Sequence, residues 1–322
     1  MDPPRPAVGA SPDDLLELFQ SIRKELELRE EAPSGAWVDA SVAEARDGRK
    51  SAWYYPPSDH GGGIAFYSRR GPKIWGHVHS VAGPEASGRA LRLAEALLEG
   101  LPAEVGWVSI GFSGFDLAAE REVVRGLAGR PGALAVERHQ MEVLLHPAPG
   151  RPAPVPPPHV EVLPARAAAP RAVAELDQRA FRGSVDDRVM GGSLEEYEEI
   201  VGRLLASGLG RFLDEASIVL YEPEPPRLVG GILSAEVSPR RAVVLDLMVD
   251  PERRGQGWGR FLLRWGLRAF QALGYSTATL WVTESNAAAL RLYESEGFVR
   301  TASTVLFHWT RPDGLPQPQT SR

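Results

Sequence analysis

Between residues 158 and 310 the spacing of apolar positions changes period several times, and each change marks an element. Val243-Val244-Leu245-Asp246-Leu247-Met248-Val249 is a nearly continuous apolar run of strand length, closed by Asp250-Pro251. A glycine-rich turn follows, Arg253-Arg254-Gly255-Gln256-Gly257-Trp258-Gly259, and opens an amphipathic helix. On that helix Leu262, Trp265, Ala269 and Leu273 are expected to face a core, with Arg260, Arg264 and Arg268 toward solvent. Thr279-Leu280-Trp281-Val282 reads as a second strand. A second helix starts at Asn286 and closes with Leu292-Tyr293-Glu294-Ser295-Glu296-Gly297-Phe298. Upstream, His159–Ala165 alternates as a strand and Ala168–Phe181 has helical spacing. Ser193 is placed as the N-cap of a helix reaching Leu205, with Glu196 completing a capping box. Ala216–Tyr221 and Arg227–Val237 form a hairpin around Pro223-Glu224-Pro225-Pro226, and Ser303–Trp309 is a last strand.

The first half carries the same order of elements in weaker form. Leu15–Glu30 is a charged helix; Ser51–Tyr55, Gly63–Ser68 and Lys73–Ser80 are strands. Glu85–Leu98 is a helix with Leu91, Ala94, Leu97 and Leu98 at helical spacing. Val105–Ile110 is a strand, Leu117–Leu127 a helix, and Ala133–Leu145 one or two strands. In each half a hairpin precedes strand, helix, strand, helix and terminal strands, which predicts an internal repeat. The first copy lacks the Arg-Gly-Gln-Gly-Trp-Gly segment, so its strand should pass into its helix by a shorter connection.

Composition sets the frame. Seven prolines fall between Pro147 and Pro158, which rules out a helix or central strand there and predicts an extended linker. The expected division is therefore 1–146, a linker at 147–158, a second domain at 159–311 and a frayed tail at 312–322. Net charge is −6, which weighs against a nucleic-acid or anionic-membrane partner, since phosphate neutralisation needs a basic field. No stretch approaches the roughly 18 apolar residues of a membrane span, and no signal pattern opens the chain, so a cytoplasmic location is expected. There are no cysteines, which removes disulfides, thiolate metal sites and an acyl-thioenzyme intermediate.

The glycine turn is the leading candidate for chemistry. The first N–H groups of a helix lack internal partners, and the helix dipole is positive there, so a diphosphate finds donors ready. Gly255, Gly257 and Gly259 let oxygens approach the backbone, and Arg254 adds charge. The dinucleotide fingerprint is absent, because the sixth position from Gly255 is Arg260; the Gly-Lys-Ser/Thr of a nucleotide-triphosphate loop is absent too. Those seven residues alone fit an unliganded turn equally well.

The segment as a whole resembles the GNAT superfamily of N-acetyltransferases. Arg254, Gly257 and Gly259 match its Gln/Arg-x-x-Gly-x-Gly/Ala signature. Asn286, Ala289, Leu292, Tyr293, Gly297 and Phe298 match its Asn-x-x-Ala-x-x-Leu-Tyr-x-x-x-Gly-Phe mark. The close match covers about residues 240–300, and the first half resembles the fold by element order only. The resemblance implies an α/β (α+β) fold of two tandem GNAT-like domains, each a mixed, mostly antiparallel sheet flanked by helices, the first a degenerate copy without the cofactor motif. It implies acetyl-CoA as co-substrate, its diphosphate held by Arg254, Gly255, Gln256, Gly257, Trp258 and Gly259. The backbone of Leu247, Met248 and Val249 would pair with the pantetheine arm, Asn286 would touch the arm from the other side, and Tyr293 would protonate the departing thiolate.

The general base departs from the family pattern. Pro239-Arg240-Arg241-Ala242 stands where many relatives carry a glutamate. Asp246 and Glu236 are the substitutes; Asp246, a carboxylate inside an apolar strand, reads equally as base, ammonium anchor or structural acceptor. The acceptor side is expected at 182–190, where Asp186 and Asp187 read as a solvated pair or as an attraction for a cation. His77 and His79, with His60 near in sequence, read as exposed strand histidines rather than metal ligands. The acceptor is expected to be a small-molecule or peptide primary amine, taken by direct attack in a ternary complex on a monomer or homodimer; a protein N-terminus, or an aminosugar thiol precursor as in tandem mycothiol-type acetyltransferases, are the alternatives within the same class. The competing reading is a module that holds acyl-CoA as a sensor without turnover.

Overall fold

The computed structural model describes residues 2–28, 35–59, 61–70, 73–145, 154–190, 192–208 and 210–312. His60, most of the proline-rich stretch and the tail beyond Pro312 lie outside the described residues. In chain order the elements are β1 (Arg5–Pro6), α1 (Pro12–Leu28), α2 (Gly35–Arg46), β2 (Ser51–Tyr55), β3 (Gly63–Arg70), β4 (Lys73–Ser80), α3 (Ala86–Glu99), β5 (Trp107–Ser113), α4 (Leu117–Leu127) and β6 (Ala133–Leu144). They continue with β7 (Glu161–Pro164), α5 (Pro170–Phe181), α6 (Val185–Met190), α7 (Leu194–Leu205), β8 (Arg211–Phe212), β9 (Ile218–Pro223), β10 (Pro226–Ser238), β11 (Arg241–Val249), α8 (Trp258–Ala272), β12 (Thr277–Thr283), α9 (Ala287–Ser295) and β13 (Val299–Thr310).

The chain forms two compact units. The first runs to Arg138 and adds the C-terminal stretch from Ser303; the second is His139–Ala302. This differs from a division at the proline-rich stretch, because the boundaries fall inside the last strand of each half, and most of β13 and the second half of β6 belong to the other unit.

In the first unit β1 through β4 pair antiparallel in sequence order, β4 and β5 run parallel, and β13 joins β5 antiparallel with Phe307 opposite Ile110. Leu93, Leu97 and Val108 meet Val305 and Phe307 of the last strand in one core. Glu120, only 2% exposed, anchors that strand: its carboxylate accepts from Thr304 Oγ1 at 2.9 Å and from the Val305 N–H at 2.8 Å. Helix α2 was not expected. Val38, Val42 and Ala45 have helical spacing, but Asp39, Ser41 and a glycine start obscure it. It closes a second core with Leu15, Leu18 and Phe19 of α1.

That α1–α2 layer also corrects the histidines. His79 is 1% exposed, with Nδ1 2.9 Å from Ser113 Oγ and Nε2 3.0 Å from Ser21 Oγ on α1. Burial lowers its pKa to about 4, so the ring is neutral. His77 is half-buried, its Nε2 2.7 Å from the same Ser113 hydroxyl.

In the second unit β7, β9, β10 and β11 pair antiparallel, β8 adds to β10, β11 and β12 are parallel, and β6 lies beside β12. Helix α8 covers the core face with Phe261, Leu262, Leu263, Leu267 and Phe270. Its face is therefore rotated from the expected one. Leu273 is 40% exposed, and half-buried Trp265 donates its indole N–H to the Glu215 carbonyl at 3.2 Å. Arg264 and Arg260 do not simply face water: both pair with the buried carboxylate of Glu296, at 2.9 and 3.0 Å. The opposite face packs α5 and α7 over Val219, Leu233 and Met248.

Candidate functional site

Parallel pairing between β11 and β12 runs from Arg241↔Thr277 to Val244↔Leu280 and stops. Both strands continue, to Val249 and Thr283, but among the described residues they no longer pair. A bulge at Leu245 coincides with the parting: Leu233 faces Asp246 and Ser234 faces Val244, so one residue of β11 is extra. A bulge bends its strand and raises the local twist, which opens the split. Residues 246–249 thus present a strand edge toward β12 while remaining paired to β10. Leu247, Met248 and Val249 lie on this edge. The first unit shows the contrast: β4 and β5 stay paired from Lys73↔Trp107 to His79↔Ser113, without a split.

The glycine turn lies just beyond the open end of β11. Gly255 and Gly257 have φ of +74° and +85°, and a Cβ built at either meets nothing within 4 Å. Both glycines are therefore required by backbone conformation, and both face open space. Among the described residues no acceptor takes the backbone N–H groups of residues 255–260; the first helical bond is from Phe261 N to Gly257 O at 3.0 Å. Gln256 Nε2 donates to the Glu252 carbonyl at 3.1 Å, stiffening the turn. Gly259 has a different reason: a Cβ there would lie 3.3 Å from Leu292 Cδ2, so its small size lets α8 approach α9. The Trp258 side chain is buried in the core, leaving only its backbone for a ligand.

Of the two arginines, Arg253 is committed. It pairs with Glu222 at 2.7 and 3.1 Å, and Glu222 also lies 3.6 Å from Arg227. Asp250 ties in Arg179 at 3.3 Å and caps the turn through the Glu252 N–H. This ion-pair layer sits under the turn and fixes it. Arg254 is exposed, and its guanidinium donates to the Ala180 carbonyl at the end of α5.

The split holds a group of carboxyls. Asp246 on β11 and Asp177 on α5 are electrostatic neighbours. Asp177 is 4% exposed. Burial and the neighbouring Asp246 charge push Asp177 well above the ordinary carboxylate range. Burial likewise raises Asp246, opposed by the Leu247 N–H and reinforced by Asp186. Two neighbouring carboxyls resist ionising together. Asp186 accepts from Thr283 Oγ1 at 2.5 Å, reaching the end of β12. Asp187 accepts from the Gly183 N–H at 2.8 Å and from Tyr197 OH at 3.3 Å. Asp186 and Asp187 are thus not a solvated loop pair: both sit half-buried on α6.

Tyr293 on α9 is 7% exposed, its ring 5.8 Å from that of Phe298. Burial first, then Asp246 and Asp186, hold its proton on well above the usual phenol range. Among the described residues its hydroxyl has no hydrogen-bond partner. Asn286 caps α9, its Oδ1 accepting from Ala289 N at 3.2 Å, which leaves the amide NH2 as its donor. Glu236 stands apart from this group. It lies opposite Ala242, where Asp246 lies opposite Leu233. Its carboxylate takes Tyr275 OH at 2.5 Å and the Arg211 guanidinium, which lower its pKa.

Sequence reasoning missed Asp177 and α6, though each left a signal. Asp177 falls in the apolar stripe Val173–Asp177–Ala180 of α5, where a carboxylate is out of place. Ser184 and Asp187 form an S-x-x-D start for α6, the Asp187 N–H donating to Ser184 Oγ at 3.1 Å.

Comparison with known proteins gives a consistent outcome. Residues 172–298 match the model of the acetyltransferase (GNAT) family. The mycothiol acetyltransferase of Gordonia bronchialis is 31% identical over 150 residues, covering 42% of this chain and 47% of that protein. That of Thermobispora bispora is 48% identical over 59 residues, 18% of this chain and 20% of that protein. The chain spans less than half the length of the curated relatives it matches. Among solved structures, a GCN5-related N-acetyltransferase from Sphaerobacter thermophilus superposes with a TM-score of 0.58 at 17% identity, covering 95% of each chain. A tandem GNAT protein from the clavulanic acid biosynthesis pathway gives 0.55 at 14% identity, covering 95% of this chain and 97% of that one. At these identities the likeness is one of fold.

Proposed function

Taking residues 172–298 as a GNAT-family domain, we propose that this chain is an acetyl-CoA-dependent N-acetyltransferase acting on a primary amine by direct attack in a ternary complex. One observation carries the reading: the unpaired N–H groups of residues 255–260 lie at the open end of the β11–β12 split. The diphosphate takes those donors and Arg254, which exchanges the Ala180 carbonyl for phosphate oxygen. The pantetheine arm adds to the free edge of β11 at Leu247, Met248 and Val249, with the Asn286 amide on its other side. The acetyl group then sits between Asp246 and Tyr293.

The net reaction is R–NH3+ plus acetyl-S-CoA giving R–NH–acetyl, CoA-SH and H+. Asp246 takes a proton from the ammonium; the nitrogen lone pair attacks the carbonyl carbon, the C–S bond breaks, and Tyr293 protonates the thiolate. The tyrosine regains its proton from the nitrogen through solvent, and Asp246 passes its own to water. A carboxylate with a raised pKa is a better base than an ordinary one, and a tyrosine that holds its proton has one to give as thiolate charge develops. Glu236 is a poorer base, its proton affinity lowered by Arg211 and Tyr275. The carboxyls Asp177, Asp186, Asp187 and Asp246 favour a cationic acceptor.

Calorimetry with acetyl-CoA, together with a thiol-release assay on a panel of primary amines that includes the mycothiol acetyltransferase acceptor, tests this. Saturable binding with amine-dependent thiol release is expected. Binding without release would favour an acyl-CoA sensor.

A further inference from the structure

The lysines of this chain are Lys24, Lys50 and Lys73; every other strong base is an arginine. Lys50 stands just before β2, and its side chain, 10% exposed, ends among three aromatic rings. Its Nζ lies 5.9 Å from the ring centroid of Phe19 on α1, 5.7 Å from that of Trp37 on α2 and 5.2 Å from that of Phe66 on β3. The rings enclose one space: Phe19 meets Trp37 edge-on at 5.6 Å and Phe66 at 5.3 Å, and Trp37 lies 6.4 Å from Phe66. On the α2 side Nζ donates to Ser41 Oγ at 3.0 Å and lies 3.5 Å from the partly exposed Glu44 carboxylate. All of these residues belong to the first unit.

An ammonium taken out of water needs compensation. One hydroxyl and one carboxylate supply part of it here, and the electron-rich ring faces supply the rest. An uncharged chain of similar length would fill the space without that desolvation, so the charge is the feature that calls for a role. Its place gives one, because the same ammonium touches α1, α2 and the sheet beneath them. Beside it Ser21 of α1 reaches down to His79 Nε2 at 3.0 Å.

We infer that Lys50 is a modification site: its ammonium latches the α1–α2 layer to the sheet of the first unit, and N-acylation by an acyl thioester releases the latch. In that step the ammonium gives one proton to water and the Nζ lone pair attacks the thioester carbonyl. A C–N bond forms, the C–S bond breaks, and the thiolate takes the second nitrogen proton. The product is a neutral amide, larger than the ammonium and without charge for the rings. Nζ must leave the cage to react, so acylation proceeds through an opened layer and traps it open. The inference does not depend on the acyl-transfer reading.

Two measurements on the full chain test it. Native-state hydrogen exchange is compared at the Phe19 and Val42 amides in wild type, Lys50→Arg and Lys50→Met, with Ile110 on β5 as internal reference. Met, of similar length and uncharged, should raise exchange at Phe19 and Val42 about tenfold or more, whereas Arg should stay within about threefold of wild type and Ile110 should not change. Separately, wild type is treated with S-acetyl-N-acetylcysteamine, a small acetyl thioester, and modification of Lys24 and Lys50 is followed by mass spectrometry alongside the same exchange. Lys50 should acetylate about tenfold or more slowly than exposed Lys24, and exchange at Phe19 and Val42 should rise in step with Lys50 rather than Lys24.

A Met variant within about threefold of wild type overturns the inference, because packing without charge then holds the layer. An Arg variant as loose as Met overturns it too. Should neither variant fold, wild type alone decides: Lys50 acetylated as fast as Lys24, or acetylated with exchange unchanged, ends the reading.

Discussion

Gly257→Glu tests the phosphate turn most directly. Gly257 has φ +85° and open space where a Cβ would stand, so the substitution costs the fold only the left-handed backbone penalty, about 1–2 kcal/mol. The new carboxylate projects from the turn where the diphosphate is held. At about 5 Å, in water, one carboxylate and one phosphate charge repel by roughly 0.8 kcal/mol. Two phosphate charges give about 1.6 kcal/mol, about a 15-fold loss of affinity, and a lower effective dielectric makes it larger. Gly257→Ala is the control, with the same backbone penalty and no charge. The assay is calorimetry with coenzyme A at two ionic strengths, with thermal unfolding in parallel. The Glu variant should bind at least about 15-fold more weakly than the Ala variant, the gap narrowing in high salt. If the two variants bind within threefold of each other while both remain folded, the diphosphate does not sit at this turn.

Tyr293→Phe keeps the buried ring against Phe298 and removes a hydroxyl that has no partner among the described residues, so thermal stability should hold while turnover falls. Unchanged steady-state kcat would reduce Tyr293 to packing. Asp246→Asn should abolish most turnover and also change the pH dependence of stability. A carboxyl whose folded pKa is raised binds more protons folded than unfolded, so its contribution to stability falls as pH climbs above about 4. Urea midpoints for wild type and Asp246→Asn should therefore converge at low pH and favour the Asn variant toward neutrality; parallel curves would refute the raised pKa. Glu120→Ala strips the last strand of its buried acceptor and leaves the Val305 N–H unpaired, about 1–3 kcal/mol. A lowered denaturation midpoint with faster hydrogen exchange at Val305 is the expected result.

Much of this was legible in the chain. The regular elements of residues 240–300 could be placed because Val/Leu strand runs, glycine punctuation and helical spacing agree there. The glycines at 255 and 257 also declared themselves, since a left-handed turn has few other residues to choose from. What escaped depends on tertiary neighbours. Asp177 looks like one polar residue in an amphipathic helix until the strand bearing Asp246 lies beneath it. His79 alternates as an exposed strand residue would, and only the α1 layer above it takes it out of water. The facing of α8 was rotated because Glu296, more than thirty places beyond Arg260 and Arg264, draws both to itself. The exchange of terminal strands leaves no local trace, because a strand's pattern records that it pairs and not with which half of the chain.

That exchange has a consequence for biosynthesis. Phe307 and its neighbours lie nearly two hundred positions after Ile110, the residue they finally adjoin. The amino-terminal unit therefore stays unfinished on the ribosome until residues 303–310 have emerged, although most of its residues emerge first. A chain cut just before Ser303 would keep the sequence of the glycine turn and lose the strand that completes the unit made at the outset.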